Sequence, residues 1–295
     1  MMRNNKSLIL ILLLSLASLS LFASKTIVGF SAPNLDIDSN YKILNEMLKT
    51  KFESSDYEYY WADSKNNRNI QYFSVIDMIN ENIDYLIINP VDQETFDDLT
   101  NLCKKFDIEV INLYAPFEDD YENLYLISYN FENLTAELAY DIKYMSIKEN
   151  HNLDVVSFID LNKIEHLKIM EYLTDDLNSC DLALSECIPI SSVENLYSYE
   201  SVISKRYSDI TVLIFPTVTE AIHFHKSMID KYGSDNFIKY CLEGVDISED
   251  EMKENGIRGI FIINSEATVA SILDDIQNGN FVDSLIDQKF ITVDF

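Results

Sequence analysis

The chain has 295 residues, with 50 acidic side chains against 22 basic ones and a formal net charge of −28. Such a surface repels nucleic-acid phosphates and anionic membranes, which speaks against a role built on binding either. Most of these carboxylates are expected on solvated helix faces, where they serve solubility.

The first element in chain order is an export signal. Arg3 and Lys6 supply a short basic region, Leu8 to Phe22 form an uninterrupted small-and-apolar run, and Ala23 offers a small residue for cleavage. This layout predicts a secretory signal peptide over residues 1–23. The run falls short of the roughly 20 residues that a lasting membrane anchor needs, an uncleaved anchor being the alternative. No cysteine lies near the cut, so no lipid anchor is expected. No later segment approaches membrane-spanning length, so the mature chain is expected in the periplasm without a stable membrane span. It would retain about 270 residues, a length at which single cores stop growing, which predicts two lobes.

Beyond the signal, short apolar runs alternate with longer amphipathic segments, the pattern of a parallel α/β sheet. Strands are predicted at Thr26–Ser31, Tyr57–Trp61, Tyr85–Asn89, Glu109–Leu113 and Leu124–Ser128. The third, YLIIN, is nearly continuous in apolar residues, as a strand buried on both faces requires. Gln93 to Phe106 places Phe96, Leu99, Leu102, Cys103 and Phe106 on one helical stripe. A second series follows Asn130: helix at Leu134–Met145, strand at Asp154–Ile159, helix at His166–Leu177, strand at Val212–Phe215 and helix at Thr219–Ile229. Strands at Phe237–Leu242, Gly259–Ile263 and Lys289–Val293, with a helix around Ala267–Ile276, complete it. No flexible linker separates the two series, which suggests a hinge. The carboxyl ends of the strands would then face one another across a cleft.

Four cysteines remain for an oxidising compartment: Cys103, Cys180, Cys187 and Cys241. None has the CxxC spacing of a zinc or redox motif. Cys180 and Cys187 are near enough in sequence for a local disulfide, while buried free cysteines are also common. His223 and His225, two apart in a predicted helix, point away from each other and read as structural. No GxSxG, GxGxxG or Walker-type loop occurs, and six glycines leave little material for a phosphate cradle. No catalytic residue, metal site or cofactor is therefore expected.

The strand ends carry the candidate binding groups. Asn34, Asp36 and Asp38 follow the first strand, Asn89-Pro90-Val91-Asp92 the third, Tyr114 the fourth, and Glu243 the strand Phe237–Leu242. Tyr129 and Asn130 stand at the lobe crossover. Polar and aromatic groups there can bond hydroxyls and stack on a sugar face. Each taken alone also fits a cap or turn, as Asp92 does for the helix starting near Gln93.

Three segments of the first series resemble the periplasmic sugar-binding proteins of the ribose and galactose type, the solute receptors of ABC importers. Asp63-Ser64-Lys65-Asn66-Asn67 is similar to that family's D-x-Q/K-N-N, Tyr85–Asp92 (YLIINPVD) to its ILINP-x-D block, and Ile108–Leu113 (IEVINL) to its IPVI strand. The resemblance runs from about Thr26 to the C-terminus. It implies an α/β type I periplasmic-binding fold, with two Rossmann-like three-layer lobes of parallel sheet joined by three crossovers and closing by hinge motion. The helix after Asn264 would rejoin the first lobe and the last strand would pair with the second. The implied lobes are 24–128 plus about 264–285, and about 129–263 plus 286–295.

The family's binding residues are largely replaced. Tyr114 and Ala115 stand for its Asp-Arg pair, and Pro216 and Thr217 for its Asn-Asp. Cys241-Leu242-Glu243-Gly244 stands for G-F-D-G, and Lys168 or His166 for an arginine on the first helix of the second lobe. Asn130 is kept, with Tyr129 in place of the usual acid. Without the arginine–aspartate clamp, recognition of ribose or glucose in the family's usual way is not expected. The expectation is an exported, non-enzymatic solute-binding protein for a sugar-like ligand, neutral or cationic, bound by Asn34, Asp36, Asp38, Tyr114, Tyr129, Asn130, Lys168 and Glu243. Its implied partner is an ABC permease. The alternatives are a sensor that presents its liganded form to a membrane receptor, and a degenerate paralogue acting as an envelope interaction protein.

Overall fold

The computed structural model describes residues 25–35, 40–114, 123–151, 153–160, 164–190, 193–207, 211–244, 247–279 and 281–294. The export signal expected over 1–23 lies outside them, as do Asp36, Asp38 and Ala115.

Two six-stranded sheets organise the chain. The first takes β1 (Thr26–Ala32), β2 (Tyr57–Asp63), β3 (Tyr85–Ile88), β4 (Glu109–Leu113), β5 (Leu124–Tyr129) and β11 (Ser284–Ile286), in the order β11-β5-β4-β3-β1-β2. The second takes β6 (Asp154–Asp160), β7 (Leu184–Ile190), β8 (Thr211–Thr217), β9 (Ile238–Gly244), β10 (Ile257–Ile262) and β12 (Lys289–Thr292), in the order β12-β10-β9-β8-β6-β7. Every pairing is parallel except β10 with β12. The architecture is the two-lobed α/β fold that the sequence led us to expect. The chain passes between the sheets three times, after β5, after β10 and after β11.

The helices between strands are α1 (Asn40–Glu53), α2 (Arg68–Asn80), α3 (Gln93–Lys105), α4 (Phe131–Glu149), α5 (Ile164–Ser179), α6 (Val193–Arg206), α7 (Val218–Tyr232), α8 (Glu249–Glu254) and α9 (Ser265–Asn278). Their ends follow local chemistry. The Asp92 carboxylate accepts from the Thr95 amide at 2.8 Å and starts α3, whose buried stripe includes Phe96, Leu99 and Cys103. Asn67 caps α2 by accepting from the Asn69 and Ile70 amides. The preceding Lys65 and Asn66 are both left-handed, and Asp63 accepts from the Lys65 amide at 2.9 Å. The DSKNN segment is thus a turn-and-cap unit that ends β2 and begins α2. Gly233 and Gly279 close α7 and α9 in the left-handed conformation.

Strand β7 and helix α6 were not foreseen. LSECIPI carries only isolated apolar residues and a proline, because β7 is an edge strand with Ser185, Cys187 and Pro189 outward and Ile188 and Ile190 buried. All four cysteines are free, so Cys180 and Cys187 form no disulfide.

Three apolar clusters fill the layers. One packs α2 and α3 on the first sheet, and a second packs α6, α7 and α8 on the second. The third runs from Leu44, Leu48 and Ile272 through Tyr114, Tyr129 and Phe131 to Leu173, Val212 and Leu242, and so joins both sheets. The second lobe also holds a buried ion pair. Arg258 on β10 grips Asp141 of α4 with two hydrogen bonds of 3.0 and 2.9 Å, and Tyr240 donates to the same carboxylate at 2.7 Å. Arg258 further reaches the Val293 carbonyl at 2.5 Å and Asp294 at 2.6 Å, fastening the C-terminal segment to the lobe.

Truncating Arg258 to Ala would strand Asp141, whose side chain is only 15% exposed. The expected cost is about 3 kcal/mol, read as a lower urea midpoint with an unchanged m-value. Asp275 on α9 behaves in the opposite sense. Burial and the neighbouring Asp274 push its carboxyl up from 3.8 to about 6, against one hydrogen bond from the Val282 amide. The native state therefore holds this proton more tightly than the unfolded chain, and stability falls as pH rises from about 4 through 6. Asp275→Asn, which can still accept from Val282, should be more stable than the wild type by roughly 1 kcal/mol at pH 8 and lose that margin near pH 4.

Candidate functional site

Parallel registers bring the strand ends of each sheet to one side. In the first sheet Ala32 pairs with Asp63, Ser31 with Ile88, Ile88 with Asn112 and Leu113 with Ile127, so Asn89, Tyr114 and Tyr129 stand along one rim. In the second, Thr217 pairs with Glu243 and Asp160 with Ile190, which sets Glu243 and the start of α5 on the corresponding rim.

The first rim is held from beneath by a buried amide network. Gln71 donates to the Asn89 carbonyl at 2.9 Å and accepts from the Val91 amide at 2.8 Å, while Asn89 donates to the Leu113 carbonyl at 2.5 Å. These bonds fix the ends of β3 and β4 against each other. The YLIINP segment thereby earns a structural role for its asparagine.

Above this network lie three buried tyrosines. Tyr114 has φ 65°, a left-handed conformation that a bulky residue seldom adopts, and its ring stacks on Tyr129 with centroids 4.3 Å apart and planes 15° apart. The Tyr41 ring centroid is 6.2 Å from that of Tyr114. Thr268 donates to the Asn264 carbonyl at 3.1 Å, so the 2.9 Å contact with Tyr114 is a bond donated by the tyrosine. Tyr129 Oη is buried with no hydrogen-bond partner among the described residues.

The second lobe meets these rings with Glu165, His166 and Glu243, which are 4%, 0% and 9% exposed. Tyr41 donates to the Glu165 carboxylate, a hydrogen bond that spans the two lobes. Burial first, then the carboxylates of Glu165 and Glu243, raise Tyr41 well above the usual tyrosine range. Tyr129 is raised in the same way, by burial and then by Glu243. Both hydroxyls thus stay protonated and able to donate. His166 Nδ1 accepts from the Asp160 amide at 3.2 Å, and its Nε2 lies 3.5 Å from Glu243 Oε1.

Tyr114, Tyr129 and Glu243, named from sequence, are brought together here. Asn130 and Lys168 stand elsewhere. Asn130 caps α4 and donates to Asp287 at 2.8 Å, while its backbone amide bonds the Ile286 carbonyl at 3.0 Å, so it ties the first crossover to the third. The Lys168 ammonium pairs with Glu171 at 2.9 Å and lies 5.6 Å from the Tyr172 ring centroid. Asn34 is half-buried in the loop after β1. Sequence reasoning missed Tyr41, Glu165 and Thr268, and left His166 only as an alternative to Lys168. All four sit in the first turn of a helix that follows a strand, whereas the sequence reading looked to the loop residues Asn34, Asp36 and Asp38 and to Lys168 further along its helix.

Among the described residues, nothing here is arranged as an activated nucleophile. Burial pushes the Cys103 thiol up to about 12 and raises that of Cys241 as well. Among the described residues no group of three or more His, Cys, Asp or Glu side chains is placed to hold a metal ion. No helix among them is long and apolar enough to cross a membrane.

No family model matches the chain, and no curated relative does. Solved structures do. An ABC transporter solute-binding protein of Bacillus halodurans C-125 with bound myo-inositol is 18% identical, with a TM-score of 0.74 over 91% of this chain and 94% of that one. The periplasmic binding protein of the arabinose ABC transporter from Shewanella sp. ANA-3, bound to L-arabinofuranose, is 15% identical, with a TM-score of 0.75 over 90% and 92%. A sugar transporter from Clostridium phytofermentans is 13% identical, with a TM-score of 0.73 over 92% of this chain and all of that one. The chain therefore has the type I periplasmic-binding-protein fold along nearly its whole length.

The two stacked tyrosines predict opposite responses to loss of a hydroxyl. Tyr114→Phe breaks a satisfied buried bond and should lower stability by about 1 kcal/mol. Tyr129→Phe removes a buried hydroxyl without a partner and should raise it by about 1 kcal/mol. Chemical denaturation of both variants without added solute checks the pair.

Proposed function

We propose that this chain is an exported solute-binding protein that captures a small polar, carbohydrate-like ligand between its two lobes and delivers it to an ABC-type importer. The lobes are those expected from the sequence, 24–128 with about 264–285 and about 129–263 with 286–295, each joint moved by one residue so that Tyr129 of β5 and Ile286 of β11 stay with the first sheet. The process is binding and closure without a covalent step. The observation that carries this reading is the meeting of Tyr41, Tyr114 and Tyr129 with Glu165, His166 and Glu243 at the facing strand ends. Open α/β sheets bind ligands at that end, and aromatic faces beside hydroxyls and carboxylates suit a polyhydroxylated ring. Likeness along the full chain to solute-binding proteins holding inositol and arabinofuranose supports it further.

Two carboxylates at the site favour a neutral or cationic ligand over an anion, because a buried anion without compensation is costly. A second reading, a degenerate paralogue acting as an envelope interaction protein, draws on the direct Tyr41–Glu165 bond between the lobes, which joins them without a guest.

Isothermal titration against myo-inositol, L-arabinose, D-galactose, D-glucosamine and D-glucose 6-phosphate separates these readings. Solute binding predicts a saturable heat with at least one neutral or amino ligand, a matching rise in melting temperature, and silence from the phosphate ester. Silence from all five, with protein shown to be folded, would turn the assignment toward the paralogue.

A further inference from the structure

The His166 ring is fully buried, yet Nε2 has no hydrogen-bond partner among the described residues. Its proton can be placed. A backbone amide only donates, so the Asp160 N–H at 3.2 Å makes Nδ1 the acceptor and leaves the proton of the neutral ring on Nε2. That N–H lies 3.5 Å from Glu243 Oε1, at the outer limit of hydrogen bonding. The second buried group with an unused polar atom at the same place is Tyr129 Oη, which feels the Glu243 charge. A lone buried donor costs free energy unless something receives it.

We propose that His166 is a ligand-binding residue whose Nε2–H donates to one hydroxyl of the solute while Glu243 accepts from the adjacent hydroxyl, so that the pair reads a vicinal diol. This rests on the solute-binding reading above and goes beyond it by assigning the residue and the chemical class. The 3.5 Å spacing sets a donor and an acceptor side by side, matching two neighbouring hydroxyls of a ring. The Asp160 amide fixes the tautomer, and burial fixes the ring plane. A single N–H and one carboxylate offer fewer bonds than a guanidinium–carboxylate clamp, so recognition leans on the stacked Tyr114 and Tyr129 as well.

Two substitutions separate binding from a structural role. Asparagine at 166 keeps an acceptor near Nδ1 for the Asp160 amide but deletes the donor at Nε2. Glutamine places an amide N–H near Nε2 but gives up the Nδ1 acceptor. The probe is whichever of myo-inositol, L-arabinose and D-galactose the wild type binds most tightly, together with its monodeoxy derivatives. The expected result is a loss of about tenfold in Kd for His166→Asn with its melting temperature nearly kept, and substantial recovery of binding in His166→Gln. One monodeoxy probe should bind the wild type about tenfold more weakly than its parent, yet lose nothing further on His166→Asn. If the wild type binds its probe and His166→Asn binds it equally well, or the deoxy penalty is unchanged in the variant, the assignment of His166 is overturned and the solute-binding reading stands. If the folded wild type binds none of the three sugars, the vicinal-diol assignment is overturned together with the carbohydrate class on which it rests.

Discussion

A parallel sheet ends all its strands on one side, and the rest of this structure follows from placing two such ends face to face. At those ends the ladder stops, so backbone and side-chain polar groups need other partners. In the first lobe Gln71 and Asn89 supply them beneath the rim, and Thr268 receives the Tyr114 hydroxyl. In the second, the Asp160 amide is received by His166. Once the strand ends are satisfied in this way, three tyrosine rings, two carboxylates and an imidazole are left buried where the two sets of strand ends meet.

The three crossovers let that place be both enclosed and changeable. The first and third are tied together by Asn130 and Asp287, and the second begins with Asn264, which caps α9 as Asn130 caps α4. Both caps have nearly the same backbone angles, φ −78° and ψ 82° at Asn130 and φ −80° and ψ 73° at Asn264. Short segments with matched geometry concentrate any rotation between the lobes at a few bonds, as hinge closure requires. The Tyr41–Glu165 hydrogen bond adds a side-chain link between the lobes beside these backbone joints.

The fold was legible because its signals are local. YLIIN reads as a doubly buried strand, Asp92 as a cap and Gln93–Phe106 as a one-sided helix, and all three are present. The second lobe was less complete. LSECIPI lacks the apolar run that marks an interior strand, since an edge strand buries only one row of side chains. Residues of the candidate site were legible only where they sit directly on strand ends, as Tyr114, Tyr129 and Glu243 do. Tyr41, Glu165 and His166 reach the same place from the first turns of helices, across loops whose path the sequence does not reveal. Lys168 and His166 are two residues apart on one helix, and only the three-dimensional arrangement shows that His166 lies beside Glu243 while Lys168 pairs with Glu171.

The account therefore depends on the space bounded by Tyr129, His166 and Glu243 being where a solute is held. Determining a crystal structure of the protein grown with its tightest-binding sugar tests this most directly. The account predicts the sugar ring enclosed between the lobes, with hydroxyls in hydrogen-bonding reach of His166 Nε2, Glu243 and Tyr129 Oη. A sugar seated on an outer surface, with the side chains of Tyr41 and Glu165 still joined and the interlobe space filled by protein alone, would contradict it.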